Sequence, residues 1–242
     1  RPANEIQAVN RLADIMLGLV PEMGPHWNQH NLVTLRRQSI SRVLYYDKIY
    51  QALLGKPGVI CEFGVQWGSA LSLIMNLRAI YEPYNHQRHL FGFDTFTGFP
   101  SIDKKDFLHA KPGDYSCFEN YDRLLEEILR LHEENSPLAH IKKTSLVVGD
   151  VSNTIHTWLE ENPHAVIGMA IFDMDLYKPT KDVLEAIKPR LFKGSLLVFD
   201  EFSNESWPGE TEAINDVLGI NSLHFKSHAH QPTCAWAEYG LK

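Results

Sequence analysis

Acidic residues follow two of the most apolar stretches of the sequence, where they could bind a cation and accept a proton. Asp173 and Asp175 follow one stretch, and Asp200 and Glu201 follow another. A continuous apolar run of this kind is typical of a strand buried on both faces of a parallel sheet. Acids at the carboxyl ends of such strands meet at the edge where open α/β folds bind ligands. We expect a hard divalent cation such as Mg²⁺ to relieve their repulsion, the alternative being that they are solvated loop acids.

A predicted strand, a glycine-containing loop and a helix follow one another at residues 59–81, an order that opens nucleotide-binding half-folds. Gly64 and Gly68 are four residues apart, so the middle glycine of the dinucleotide fingerprint is missing. This spacing argues against NAD. It favours a cofactor without phosphates, such as S-adenosylmethionine, which needs only close backbone approach beside Gly64 and Glu62.

Two more predicted strands end in acids. Asp94 ends the second strand, where such folds bind ribose hydroxyls. Asp150 ends the third strand and is expected to bind an adenine edge together with the backbone of Val151, although helix capping would also explain it, with Ser152 as a candidate N-cap. The predicted cofactor site comprises Glu62, Phe63, Gly64, Val65, Ser69, Asp94, Thr95, Phe96, Gly149, Asp150, Val151 and Asp173.

The long irregular stretch at residues 101–117 bears Lys, Asp and Gly. Loops of this length inside a compact domain are usually functional, so the stretch is predicted to be an active-site flap. A surface loop without a role in the site is the alternative.

The elements that must position these residues are five β–α units followed by two final strands, predicted to be antiparallel. Apolar spacing predicts helices over residues 4–20 and 31–54. The predicted organisation is one domain, 1–242, in which a helical N-terminal cap (1–54) precedes a cofactor-binding α/β core (55–242). Docking of a partner subunit, which would make the protein a homo-oligomer, is the competing use of the cap.

Composition excludes several classes of protein. The chain has 242 residues, of which 44% are apolar, and no apolar run approaches the ~20 residues that span a bilayer. The net charge of −7 argues against nucleic-acid binding. Three widely spaced cysteines form neither a zinc pattern nor a disulfide framework, and the sequence start does not resemble a secretory signal, so a cytoplasmic location is expected. Arg36, Arg37 and Arg42 in the basic N-terminal segment are candidate contacts for a diphosphate.

Five motifs bring the sequence closer to one family. They are Cys61-Glu-Phe-Gly-Val65, Phe93-Asp-Thr-Phe-Thr-Gly-Phe-Pro100, Phe172-Asp-Met-Asp-Leu-Tyr177, Val198-Phe-Asp-Glu201 and Trp207-Pro-Gly-Glu210. Together they resemble the macrocin O-methyltransferase family, which methylates sugar hydroxyls of macrolides and related natural products. The resemblance implies a class I methyltransferase fold, with a Rossmann-like, mostly parallel sheet and a terminal antiparallel strand.

The resemblance also implies roles for the acids. The family holds Mg²⁺ with residues that match Asp173, Asp200 and Glu201, although it usually has Asp where this chain has Glu201. Its general base matches Asp175, and Asp173 belongs to the same catalytic group. Catechol-type methyltransferases place a lysine near the position of Asp175, so an acid there favours a sugar acceptor.

The function expected from the resemblance is S-adenosylmethionine- and Mg²⁺-dependent methylation of a sugar hydroxyl, on a deoxysugar of an antibiotic or on a surface glycan. The substrate would be a small glycosylated or nucleotide-linked sugar, with no nucleic acid or membrane partner. Three alternatives remain open, namely a catechol or phenol O-methyltransferase, a nicotinamide-dependent oxidoreductase, and a non-catalytic nucleotide- or metal-binding protein.

Overall fold

The apolar runs of the sequence form a seven-stranded sheet in the computed structural model, which describes residues 3–241. The strands are β1 (Val59–Phe63), β2 (Leu90–Asp94), β3 (Thr144–Val148), β4 (Ile167–Phe172), β5 (Leu191–Phe199), β6 (Lys226–His228) and β7 (Gln231–Glu238). Their order across the sheet is β3-β2-β1-β4-β5-β7-β6. The first five strands of that order pair in parallel, and β7 is antiparallel to β5 and β6. The predicted fold class is confirmed.

Eight α-helices are described. They are α1 (Ala3–Met23), α2 (Trp27–His30), α3 (Arg37–Leu53), α4 (Ser69–Tyr81), α5 (Tyr121–Glu134), α6 (Val151–Glu161), α7 (Tyr177–Ile187) and α8 (Gly209–Val217). The sequence predicts the helix after β4 over residues 180–191, but the helix spans Tyr177–Ile187, so both predicted ends are wrong. Pro179 lies in the first turn of α7, where a missing N–H costs nothing. Pro189 ends the α-helical bonding, so a 3₁₀ turn at Lys188–Arg190 leads into β5.

The hydrophobic core lies on both faces of the sheet because alternate strand residues point in opposite directions. Ile171 and Val198 pack on one face with buried side chains from α3, α4 and α5. Phe172 and Phe199 pack on the other face with buried side chains from α6, α7 and α8. Every residue of β4 is buried, as expected for a central parallel strand.

Contacts divide the chain into two compact units, one up to Leu44 and one from Tyr45 onward. The later residues of α3 belong to the second unit, since Tyr46, Ile49 and Tyr50 are fully buried in its core. Within residues 3–34, none of the helices has a buried residue. The predicted division into a cap at 1–54 and a core at 55–242 stays a prediction.

No helix within residues 3–241 combines the length and apolarity of a membrane span.

Candidate active site

A cavity opens at the carboxyl ends of the parallel strands, where the strand order reverses. From β1 the chain moves outward to β2 and β3 and then returns to β4 on the other side of β1. Such a switch point leaves a crevice between the loops of the two neighbouring strands. The cavity is lined by Glu62, Gly64, Val65, Gln66, Trp67, Ser69, Phe93, Asp94, Thr95, Gly98, Phe99, Pro100, Tyr115, Gly149, Asp150, Val151, Asp173, Met174, Asp175, Leu176 and Pro179.

Gly64 lies where β1 and β4 leave the sheet side by side. Its φ is +90°, and a Cβ atom there would lie 1.9 Å from the carbonyl oxygen of Asp173. The two backbones are held together because the Asp173 N–H donates to the Phe63 carbonyl at 2.8 Å. No residue with a side chain fits at this position. The close approach of the Asp173 backbone therefore explains why this position is a glycine.

Asp94 organises the loops on the cofactor side of the cavity. Its Oδ2 accepts hydrogen bonds from the N–H groups of Val65 (2.7 Å) and Gln66 (2.8 Å), and its Oδ1 accepts one from Phe96 (2.6 Å). A carboxylate has about four lone-pair sites, so one remains for a ligand. Asp94 thus fixes the glycine-containing loop as well as facing the cavity.

Asp150 is the N-cap of α6, because its Oδ1 accepts from the Ser152 N–H at 3.0 Å. The prediction that Ser152 is the N-cap was wrong, since the helix begins at Val151. The capping role that had been the alternative for Asp150 is confirmed. Asp150 lines the cavity together with Gly149 and Val151, so the capping role is compatible with a place in the cofactor site.

Two predicted cofactor residues serve the core instead. The ring of Phe63 packs against Phe93 (4.9 Å between centroids) and Phe172 (5.4 Å), with no exposed surface. Phe96 is 7% exposed and packs 6.3 Å from the ring of Tyr121. Strand alternation explains Phe63, because its neighbour Glu62 faces the cavity and adjacent strand residues face opposite sides.

The acids that follow β4 and β5 act on one another electrostatically. Asp173 and Asp175 both line the cavity. Burial raises the pKa of Asp175 to about 7, and the charges of Glu201 and Asp200 add to the shift. Asp175 also has a left-handed backbone, with a φ of +62°. A carboxyl group with a pKa near neutrality can both take up and release a proton at physiological pH.

Glu210 is a buried acid that the predicted site did not include, although it ends the motif Trp207-Pro-Gly-Glu210. Its Oε2 accepts from the Glu201 N–H at 2.8 Å. Its Oε1 is buried and has no hydrogen-bond partner among the described residues. Burial raises the pKa of Glu210 well above its usual range, with Asp200, Asp173 and Asp175 adding to the shift.

The acids fit a cation in their chemistry, because carboxylate oxygens are the ligands that Mg²⁺ prefers and the buried Oε1 of Glu210 adds a further oxygen. As the side chains are placed, no group of three or more His, Cys, Asp or Glu within residues 3–241 is arranged to hold a metal ion. Glu201 accepts from the side-chain amide of Asn204, and Asp200 Oδ1 lies 3.1 Å from the Cys234 sulfur that donates to it. The metal ligands stay a prediction.

The stretch at residues 101–117 contains no helix or strand and is fastened to the body by polar contacts. Asp106 is buried, and its Oδ1 accepts from the Tyr177 N–H at the start of α7 at 2.6 Å. Lys105 binds Asp216 of α8 at 2.5 Å and lies 4.2 Å from the centre of the Tyr177 ring. Within this stretch, Tyr115 lines the cavity. The position of the stretch beside the cavity agrees with the predicted flap, whereas opening and closing of the flap stay a prediction.

The chain is similar to known methyltransferases. Residues 47–225 match the model of the family described as macrocin O-methyltransferase (TylF). The crystal structure of CalS11, a calicheamicin methyltransferase, aligns with a TM-score of 0.94 and 38% identity over 100% of this chain and 95% of that chain. The apo structure of CalS11, described as a TDP-rhamnose 3'-O-methyltransferase, aligns with a TM-score of 0.88 and 36% identity over 100% of this chain and 96% of that one.

A more distant relative is the 8-demethyl-8-(2,3-dimethoxy-alpha-L-rhamnosyl)-tetracenomycin-C 4'-O-methyltransferase of Streptomyces olivaceus. It is 25% identical over 177 residues, which cover 68% of this chain. The match spans 59% of that protein's length.

Proposed function

Because this chain belongs to the macrocin O-methyltransferase family, we propose that it transfers the methyl group of S-adenosylmethionine to a sugar hydroxyl. The observation that carries the proposal is that one and the same cavity is lined by Gly64 and Asp94, on the predicted cofactor side, and by the acids Asp173 and Asp175. A nicotinamide-dependent oxidoreductase no longer competes, since the family is one of methyltransferases and the dinucleotide fingerprint is missing.

The relatives support a deoxysugar of antibiotic biosynthesis as the acceptor. CalS11 is described as acting on TDP-rhamnose, and the Streptomyces olivaceus enzyme is named for a rhamnosyl-tetracenomycin. We propose an acceptor of this class, joined either to a nucleotide or to an aglycone. Contacts of Arg36, Arg37 and Arg42 with a diphosphate and a cytoplasmic location both stay predictions.

In this mechanism the chain's own residues hold the cofactor, orient the acceptor and remove one proton. S-adenosylmethionine, when bound in the cavity, would supply an electrophilic methyl group. Asp94 holds the glycine-containing loop beside the cavity by accepting hydrogen bonds from the backbone N–H groups of Val65 and Gln66. Asp175, which lines the cavity beside Asp173, takes the proton of the attacking hydroxyl as a general base. Holding the hydroxyl oxygen in line with the methyl carbon supplies much of the rate.

Asp173, Asp200 and Glu201 are the residues that we propose to hold Mg²⁺, which when bound supplies positive charge that acidifies a sugar hydroxyl. The donor set and the buried Oε1 of Glu210 support this assignment. Asn204 and Cys234, which donate to Glu201 and Asp200, would then orient ligand oxygens.

The experiment that tests the acceptor class is a competition assay with labelled S-adenosylmethionine. The purified chain is offered deoxysugar nucleotides, glycosylated natural products and simple catechols together, and the labelled products are separated by mass spectrometry. We expect label on a sugar. Label on catechols alone would overturn the proposal in favour of a catechol O-methyltransferase.

Asp94→Ala is expected to weaken binding of S-adenosylmethionine at least ~10-fold, equivalent to about 1.4 kcal/mol. The variant loses both the ribose contact and the acceptor of three backbone N–H groups that shapes the loop. Calorimetry measures the dissociation constant. Asp94→Asn keeps one amide oxygen and should lie between wild type and Asp94→Ala, whereas unchanged affinity in both variants would contradict the assignment.

We also propose that the chain forms a homo-oligomer through its N-terminal unit. Of the 21 large apolar residues that are exposed in the described chain, nine lie in this unit: Ile6, Leu17, Trp27, Leu32, Val33, Leu35, Ile40, Val43 and Leu44. Exposed apolar residues concentrated in this way mark an association surface. The unit carries five Arg against three acids, a net charge of +2, and the remaining chain therefore carries −9. This complementarity favours a second copy of the same chain as the partner.

The double variant Leu17→Glu, Val33→Glu is expected to convert the oligomer into monomers, because it places charges in the apolar surface. Light scattering should give at least twice 27.7 kDa for the wild type and 27.7 kDa for the variant. Ile80→Glu is the matched control, since Ile80 is 69% exposed but lies in α4. A wild-type mass of 27.7 kDa would contradict the proposal.

A further inference from the structure

Five aromatic side chains from two separate segments meet beside the active-site cavity. We call this group the aromatic wall; it consists of Phe99, Phe107, His109, Tyr115 and Trp207. The ring centroid of Trp207 lies 5.1 Å from Phe107, 5.8 Å from Tyr115 and 6.0 Å from Phe99. Phe99 lies 5.2 Å from Tyr115, and His109 lies 5.3 Å from Phe107. The wall thus joins the stretch that follows β2 to the loop that follows β5.

The aromatic wall is continuous with the reaction site. Phe99 and Tyr115 line the same cavity as Asp173 and Asp175. Tyr115 also lines an adjoining shallow cavity together with Phe107, His109 and Trp207. A substrate whose reacting group lies at the acids can therefore extend along the wall.

Polar contacts as well as the rings fasten the stretch at 101–117. The buried carboxylate of Asp106 accepts N–H groups on both oxygens, from Tyr177 and from Asp103, each at 2.6 Å. Lys105 adds ion pairs with α8. Tyr115 nevertheless keeps 50% of its surface exposed. The wall is therefore a supported apolar surface that remains open to solvent.

The chemistry of the wall differs from that of the acids next to it. Sugar hydroxyls form hydrogen bonds with carboxylates, whereas aromatic rings attract other flat rings, stacked or edge to face, beyond what the buried area alone contributes. We propose that the aromatic wall binds a planar ring of the carrier to which the acceptor sugar is joined. This inference rests on the proposed function for its sugar. The shared chemistry is a flat ring, supplied either by the base of a nucleotide or by an aromatic aglycone.

The test measures binding by calorimetry in the presence of S-adenosylhomocysteine, so no methyl transfer is needed. The probes are thymidine diphosphate, nitrophenyl rhamnoside and free rhamnose. Trp207→Ala is expected to weaken the binding of at least one ring-bearing probe by ~10-fold and to leave free rhamnose unchanged. Weaker binding of thymidine diphosphate alone identifies a nucleotide carrier, and weaker binding of the nitrophenyl glycoside alone identifies an aglycone.

Three further variants keep the result interpretable. Trp207→Phe retains a ring and should bind close to wild type, and Tyr115→Ala should repeat the loss if Trp207→Ala unfolds. Tyr84→Ala removes a ring that is 77% exposed and lies between α4 and β2, away from the wall in sequence, and should change nothing. The inference would be overturned if each ring-bearing probe bound to the wall variants as tightly as to the wild type. Failure of the proposed function would instead appear as absent sugar methylation, whatever the probes show.

Discussion

Asp175→Asn is expected to lower kcat by ~10²- to 10⁴-fold, the usual loss when a positioned general base is removed. An aliphatic hydroxyl is only weakly acidic, so its attack depends on a group that takes the proton as the bond to carbon forms. Asp175 lines the cavity, and its pKa is raised to about 7. Asn has nearly the same size and cannot accept the proton as a base.

Asn is also the substitution that this backbone tolerates. Asp175 has a φ of +62°, a left-handed conformation that Asn adopts more readily than most other residues. Asp175→Ala would combine loss of the base with backbone strain. Steady-state kinetics should therefore be run on Asp175→Asn, with calorimetry of the cofactor to show that binding is intact. Asp14→Asn in α1 is the control for an Asp-to-Asn change elsewhere. A kcat close to wild type in Asp175→Asn would shift the role of base to another group.

Removal of divalent metal is expected to abolish turnover, and Mg²⁺ should restore it. The reason is that Asp173, Asp200 and Glu201 repel one another and Asp175 unless a cation offsets their charge. Activity is measured after treatment with EDTA and again after Mg²⁺ is added back. Mg²⁺ binding is measured separately by calorimetry, where Asp200→Asn should weaken it. Full activity in protein that elemental analysis shows to be metal-free would rule out the proposed role.

The order of the elements could be predicted because its signals are local. β1 begins at Val59 and α4 ends at Tyr81, as predicted for the strand–loop–helix unit at residues 59–81. The acid that ends β2 follows from the same patterns, whereas the contact of Gly64 with the Asp173 carbonyl was not predicted. Boundaries failed where a proline or a cap decided them, as at Ile187 and Asp150.

The remaining features of the site depend on tertiary contacts, which the spacing of residues in the sequence does not reveal. Glu210 becomes a buried acid of the site only because α8 packs beside the end of β5, where the Glu201 N–H reaches it. The aromatic wall joins Phe99 to Trp207 across more than a hundred residues of sequence. The stretch at 101–117 is predicted to be an active-site flap from its Lys, Asp and Gly, and nothing in that pattern indicates that Tyr115 brings an aromatic ring to the cavity.

The central claim is that the acids at the ends of β4 and β5 hold a cation that binds two neighbouring oxygens of the sugar and activates one of them as the attacking hydroxyl. The most direct measurement is NMR of the product formed with ¹³C-methyl S-adenosylmethionine from a rhamnose-type acceptor and from its analogue that lacks the neighbouring hydroxyl. The account predicts one labelled methyl group on a hydroxyl oxygen of the sugar, next to a free hydroxyl, and little or no product from the analogue. Label on a phenolic oxygen, or equal methylation of both sugars, would contradict it.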